Sequence, residues 1–304
     1  MRALVTGSRG FIGTHLCDYL KNLGWDVIGL DNLFHPCDKE TPYKYADIRY
    51  YHDIEKYVKW ADCVFHLAAQ IHVDKSITNV EETIDINVKG TMNVLEAVRK
   101  YDKRMVFASS SEVYGSSQSD YMDEKHQLDA QSPYAASKVA GDRLCKSYFD
   151  TYGTKVTILR NFNTFGEWQN DTSYGGVIAI FTRKALADED LTIFGTGNQE
   201  RDYMYVEDAV QGYALCMNNL KLIGRAVNVG SGKTVTVNEI AQLIKKITKS
   251  KSRVVHVEPR PGEVMRLCAD TTLARENGFI CKTDFEKDLE KYVNWYKSFS
   301  SGRR

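Results

Sequence analysis

The sequence predicts an α/β fold: a Rossmann-like, doubly wound parallel sheet followed by a smaller C-terminal domain. Three observations predict it. Short apolar runs alternate with segments of helical period through the first half, the pattern of parallel strands wrapped by helices. Three glycines, Gly7, Gly10 and Gly13, stand between the first strand and the first helix. After about Phe162 the alternation gives way to the Gly/Asn/Asp/Thr-rich stretch NTFGEWQNDTSYGG. The domains are therefore drawn as 1–165 and 166–304, with segments of the second crossing back to the first.

The strands are expected at ALVT (3–6), DVIGL (26–30), CVFHLA (63–68), RMVFAS (104–109) and KVTILR (155–160), each apolar, rich in Val and Ile, and bounded by charged or turn residues. Ile12, Leu16, Tyr19, Leu20 and Leu23 recur at helical spacing before Gly24, and Ile84, Val88, Met92, Leu95 and Val98 make a second stripe. The second part is read as helices near 177–187, from Val206 to Asn218, from Val237 to Thr248 and from Phe285 to Phe299, with a strand at AVNVG.

Composition narrows the function classes. Forty Lys+Arg balance forty Asp+Glu in 304 residues, so no global field steers the chain to nucleic acid or an acidic membrane. An anionic ligand must be met by local groups. The seven cysteines (17, 37, 63, 145, 216, 268, 281) are scattered and form no C-x-x-C pair, which points to a reducing compartment. No His/Cys/Asp/Glu cluster has ligand spacing, so no metal is expected. The N-terminus begins a strand at once, and no uncharged stretch approaches ~18 residues. The expected location is cytoplasmic.

Glycines at a strand-to-helix turn let the backbone approach a pyrophosphate, and the helix N-terminus supplies free N–H donors. The second strand ends in Asp31, eighteen residues past Gly13, where an acid can bond an adenosine ribose and repel a 2′-phosphate. A dinucleotide, NAD rather than NADP, is the expected cofactor. Farther on, Tyr134-Ala-Ala-Ser-Lys138 puts a phenol and an ammonium on one helix face, and Ser109-Ser110-Ser111 ends the fourth apolar run, where strand ends line a ligand crevice. A phenol with a free pKa of ~10 needs neighbouring positive charge to act as a base near neutrality.

The spacing G-x-x-G-x-x-G with Y-A-A-S-K resembles the short-chain dehydrogenase/reductase superfamily. The resemblance sharpens to its extended branch, the NDP-sugar epimerases and dehydratases, on TGSRGFIG, Asp31-Asn32, Asp53-Ile54, HLAAQIHVDKSI, Asn87 in NVKGT, SSSEVYG, SPYAASK, RNFNTFG, RDYMYVEDAV, VNVGSG and RPGEVMRLCADTT. It implies that Gly7, Gly10, Phe11, Ile12, Gly13, Asp31, Asn32, Leu67, Ala68, Ala69, Asn87 and Lys138 hold NAD, with Asp53 and Ile54 at the adenine. It implies a nucleotide-diphosphate sugar as substrate, met by Gln70, His72, Asn163, Arg201 and Arg266, and a homodimer formed through helices near 84–100 and 134–150. Arginine suits a pyrophosphate because its guanidinium presents a bidentate fork.

In this branch Tyr134, aided by Lys138 and Ser110, would take the proton of the sugar 4-OH while hydride leaves C4 for NAD. The 4-keto sugar then has three fates. A 4-epimerase turns the ketone over and returns hydride. A 4,6-dehydratase removes the C5 proton and expels water from C6. A UDP-glucuronate decarboxylase uses the ketone to lose CO2. Glu112 stands where dehydratases and decarboxylases carry an acid, and so suits a C5 base. HVDKSI resembles the dTDP-glucose 4,6-dehydratases, RDYMYVED resembles dehydratases and epimerases rather than decarboxylases, and RNFNTFG resembles decarboxylases as much as dehydratases; together they lean toward the dehydratase. Ser111 replaces the Asp that dTDP-glucose dehydratases use at C6, as GDP-mannose dehydratases also do. The first reading is thus an NDP-hexose 4,6-dehydratase with Tyr134, Lys138, Ser110, Glu112 and Ser111 as its catalytic residues. A silent NAD-binding scaffold would have a damaged Tyr/Lys pair, and this chain keeps both.

Overall fold

The computed structural model describes residues 1–33, 39, 42–172, 175–259 and 264–301. Strand β1 (Arg2–Thr6) is buried along its last four residues, as a central strand must be when helices cover both faces of its sheet. On one side it pairs with β2 (Asp26–Asp31), which carries the two-residue edge strand β3 (Lys44–Tyr45). On the other side follow β4 (Cys63–His66), β5 (Arg104–Ser110), β6 (Val156–Asn161) and, at the far edge, residues Ala226–Val229. All seven strands are parallel. The chain leaves β1 in one direction and resumes at β4 in the other, so the strand order reverses between them. A crevice opens there at the carboxyl ends.

Helix α1 (Phe11–Asn22) turns Leu16, Cys17 and Leu20 onto one sheet face. On the opposite face lie α2 (Tyr51–Trp60), α5 (Gly90–Lys100) and α6 (Pro133–Tyr152), whose apolar residues share a core with Val64, Met105, Phe107 and Ile158. Helices α3 (Val73–Thr78) and α4 (Val80–Ile84) precede α5, with a π turn at Asp85–Lys89. The sequence explains the start and end of α6. The Ser132 side chain accepts from the Ala135 N–H, Pro133 occupies the first turn, and Gly153 closes it at φ 67°.

The remainder builds a smaller layer around β9 (Glu200–Tyr205), which pairs with β7 (Asn163–Phe165), β11 (Thr234–Thr236) and β13 (Arg266–Leu267). Strands β8 (Leu191–Phe194) and β12 (Val254–Val257) form a separate parallel pair. Helices α7 (Val177–Leu186), α9 (Val237–Thr248) and α11 (Phe285–Ser301) enclose a core with Phe165, Ile193 and Tyr203, and α10 (Thr272–Glu276) is a short turn of helix. Between these elements the chain crosses back. Helix α8 (Val206–Asn218) packs with α1, and β10, the Ala226–Val229 edge strand, closes the large sheet. Among the described residues no helix is long and apolar enough to cross a membrane.

Candidate active site

The glycine loop leaves β1 at Gly7, whose φ of +71° suits glycine, and a Cβ there would meet the Ala68 nitrogen at 2.7 Å. A Cβ on Gly13 would lie 2.0 Å from the Gly7 oxygen. This is a cradle that side chains would fill. Helix α1 begins at Phe11 with Gly10 as its N-cap and no side-chain cap, so the first-turn N–H groups of Phe11, Ile12 and Gly13 lack an intrahelical acceptor. The side chains of Phe11 and Ile12 pack against the two cores. At the end of β2 the Asp31 carboxylate accepts the Arg9 and Leu33 N–H groups, each at 2.8 Å. These features fit a dinucleotide: bare donors for the pyrophosphate, and a fixed acid one strand away for the ribose.

Across the reversal point, Leu67 extends β4 and Ala68 donates its N–H to Thr6 Oγ1 at 3.2 Å. Thr6 Oγ1 also meets the buried ring of His66 at 2.8 Å, and the other ring nitrogen lies 3.1 Å from Thr91 Oγ1. Asn87 sits in the π turn and holds the loop from below. Its Oδ1 accepts the Gln70 N–H at 2.8 Å, while Nδ2 donates to the Gln70 oxygen at 2.9 Å and Ser137 Oγ at 2.8 Å. Asn87 thus shapes the Ala68–Ala69 backbone with a side chain already engaged.

The reacting groups converge at the end of β5. The Tyr134 phenol lies near enough to the Ser110 side chain for Ser110 to favour its ionised form. Ser110 Oγ accepts the Glu112 N–H at 3.2 Å, starting the single 3-10 turn Ser111–Tyr114. One helical turn beyond Tyr134, Lys138 donates to the Ala108 oxygen at 3.0 Å. Burial pushes the Tyr134 phenol up to about 12, with Ser110 lowering it and Glu112 raising it. Burial also pushes the Lys138 ammonium down to about 8. The Glu112 carboxyl is held above its usual range by burial, against the opposing pull of the Arg201 guanidinium. Ser111 is buried beside them.

The structure redistributes several expected ligand residues. Ile54 is fully buried in the core under α2, and the Asp53 carboxylate accepts the Asp47 N–H at 3.2 Å. The Asp-Ile pair tied to the end of β2 is instead Asp47-Ile48, because Asn32 Nδ2 donates to Asp47 at 3.2 Å. The dipeptide occurs three times in the sequence, at 47–48, 53–54 and 85–86, and only the folded positions separate the copies. Gln70 is also turned inward. Its amide donates to the His72 oxygen and Thr83 Oγ1, both at 3.0 Å, and accepts the His72 N–H at 2.5 Å. His72 is buried at the start of α3. The Gln70 side chain thus shapes this loop.

Arg201 and Arg266 do not form one clamp. Arg266 stands opposite Glu200 in register and Leu267 opposite Arg201, so the two guanidinium groups leave opposite faces of the small sheet. Arg266 pairs with Glu200. Arg201 is on the face of Asn163, since β7 brings Asn163 opposite Tyr203, two residues along β9. The buried Asn163 Oδ1 has no hydrogen-bond partner among the described residues, an acceptor left for an incoming donor. Sequence reading passed over the pair beneath the site, Asp142 and Arg160. Their signal was an Asp four residues past Lys138 on the same helix face.

A family model described as the NAD dependent epimerase/dehydratase family matches residues 3–230. The chain is 39% identical over 303 residues to a putative UDP-glucose 4-epimerase of Methanocaldococcus jannaschii, covering 97% of this chain and 98% of that one. The fold is similar to UDP-glucose 4-epimerase of Thermotoga maritima with UDP-glucose, at TM-score 0.93 and 32% identity over 98% of this chain and 99% of that one. It is similar as well to dTDP-glucose 4,6-dehydratase from Streptomyces venezuelae with NAD bound, at TM-score 0.91 and 30% identity over 98% and 97%.

Proposed function

Because the chain belongs to the NAD-dependent epimerase/dehydratase family, we propose that it acts on a nucleotide-diphosphate sugar through a transient 4-keto intermediate, as an NDP-hexose 4,6-dehydratase. NAD, when bound, supplies the acceptor and later the donor of the C4 hydride. The glycine loop, the first turn of α1, Asp31 and the Leu67–Ala69 loop would hold it. Tyr134 takes the proton of the 4-OH, with Ser110 bonded to the same oxygen, and the Lys138 charge favours the phenolate. Arg201 and Asn163 would meet the substrate from the smaller layer.

The observation that carries the dehydratase reading is Glu112. It is a carboxylate on the turn that follows β5, next to the capping Ser110, and burial raises its pKa against the pull of Arg201. A group so tuned suits removal of the proton that a C4 ketone acidifies at C5. Ser111, next to it, would assist departure of the C6 hydroxyl. A second reading, a UDP-glucose 4-epimerase, is favoured by the 39% identical archaeal relative. It uses Tyr134, Lys138 and Ser110 alone. Incubation with UDP-, dTDP-, CDP- and GDP-hexoses, followed by mass spectrometry, separates the readings: loss of one water supports dehydration, and a new sugar of unchanged mass supports epimerisation. If no hexose reacts, UDP-glucuronate and loss of CO2 are tested next.

The same reading includes a cytoplasmic homodimer. The face around α4 and α5 exposes Ile77, Val80, Ile84 and Met92, more apolar surface than a lone helix pair needs. Cys17, Cys63, Cys145, Cys216, Cys268 and Cys281 are all free thiols, as a reducing compartment keeps them.

A further inference from the structure

Beneath the reacting groups lies a buried polar network that binding and proton transfer do not use. Helix α6 presents Tyr134, Lys138 and Asp142 at successive turns toward the end of β5, where Lys138 donates to the Ala108 oxygen at 3.0 Å and Asp142 accepts from Ser109 Oγ at 3.2 Å. Asp142 also receives Arg160 Nε at 2.9 Å and Nη2 at 3.1 Å, an ion pair with both side chains almost completely buried. Arg160 Nη1 then donates to the Tyr114 hydroxyl at 2.9 Å and the Glu124 oxygen at 3.0 Å. Tyr114 passes its proton donor on to Asn228 Oδ1 at 2.6 Å, and Asn228 Nδ2 holds the Met122 oxygen at 2.8 Å.

Such a network is costly unless every member is satisfied, and when satisfied it fixes geometry rather than adding stability. Its geometry here is specific. Tyr114 closes the four-residue turn whose second residue is Glu112. Gly115 follows at φ +66°, where a Cβ would strike the Asp129 oxygen. The turn is therefore held at its start by the Ser110 side chain and at Tyr114 by Arg160.

We infer that Arg160, Asp142 and Tyr114 are positioning residues that lock Glu112 in place relative to Tyr134, so that deprotonation at C5 depends on them while oxidation at C4 does not. This rests on the dehydratase reading for what Glu112 does, but not for where it is held. The contacts of Lys138 with the Ala108 oxygen and of Ser110 Oγ with the Glu112 N–H do not involve Tyr114. Glu112 donates its N–H to Ser110 Oγ and its carbonyl oxygen accepts the Gly115 N–H at 3.3 Å, while the far end of its turn loses its side-chain anchor when the Tyr114 hydroxyl goes.

The test uses the full-length NAD-loaded protein, dTDP-glucose and deuterium oxide. In single turnovers the near-ultraviolet absorbance of reduced coenzyme reports C4 oxidation, and deuterium at C5 reports Glu112. Tyr114→Phe is expected to oxidise within about twofold of wild type while C5 exchange falls about tenfold or more. Ile244→Val, a core change in α9, controls for lost stability and should leave both steps alone. Equal falls in both steps, or no change in either, would overturn the inference. A second readout is independent of the reaction: the isotope-labelled Glu112 carboxyl NMR resonance, assigned with Glu112→Gln, should move in Tyr114→Phe and stay in Ile244→Val. An unmoved resonance would overturn the inference too. Wild type that oxidises C4 yet never exchanges C5 defeats the dehydratase reading instead, and the resonance then decides the positioning role alone.

Discussion

The Lys138 ammonium rests 3.0 Å from the Ala108 carbonyl oxygen, which ties α6 to β5 one helical turn from the Tyr134 phenol. Burial lowers that ammonium from 10.5 to about 8, so folding a coenzyme-free chain near neutrality carries a desolvation penalty of about 3 kcal/mol. The sign follows from proton counting. Between pH 8 and 10.5 the unfolded chain binds the proton and the folded chain does not, so stability rises with pH across that window. Urea titrations of the coenzyme-free protein should show this rise relative to Lys138→Met. Parallel curves for the two proteins would contradict the burial argument.

Glu112→Gln should separate stability from activity. The folded carboxyl titrates above 4.5, so its stabilising protonation is complete below that value and is lost as pH rises through the raised one. Above the raised value the ionised group costs stability. Glutamine is expected to raise Tm by about 2 °C or more and to reduce dehydration by about 100-fold or more, read by calorimetry and product mass.

The Asp31 carboxylate is held by two backbone donors beside the coenzyme cradle. Asp31→Ala should weaken NAD binding by about 10-fold or more and weaken NADP binding less, because the repulsion of a 2′-phosphate goes with the charge. Calorimetric titration with each dinucleotide checks the change in ratio.

Asp202 is a different kind of acid. Fully buried, it accepts the Ser231 N–H at 2.8 Å, Ser231 Oγ at 2.6 Å, the Gly232 N–H at 2.9 Å and the Ala269 N–H at 3.1 Å. An amide cannot accept with both ends, so Asp202→Asn should cost about 2–3 kcal/mol in denaturant unfolding and loosen the loop after β10.

Much of this was legible in the sequence because the signals were local. The first-half strands and α1 follow from apolar period, and the cradle from three glycines at a strand-to-helix turn. Helices α8 and α9 also begin and end where the sequence pattern indicates, at Val206–Asn218 and Val237–Thr248, α9 with a capping box of Thr236 and Glu239. What stayed hidden depends on register between distant segments. That Arg266 faces Glu200 and not the side of Arg201 is decided by a two-residue pairing of β13 with β9. That Ile54 is core while Asp47 joins Asn32 is decided by where α2 lies. Gln70 reads as polar and available, yet its amide is used up by His72 and Thr83, thirteen residues on.

The most direct test of the central claim, transient oxidation at C4 under Tyr134, is the fate of a deuterium placed at C4 of dTDP-glucose. Transfer of the label to C6 of a dehydrated product is the predicted result, with no label in Tyr134→Phe. Escape of the label into water, or a dehydrated product with the label still at C4, would contradict the account.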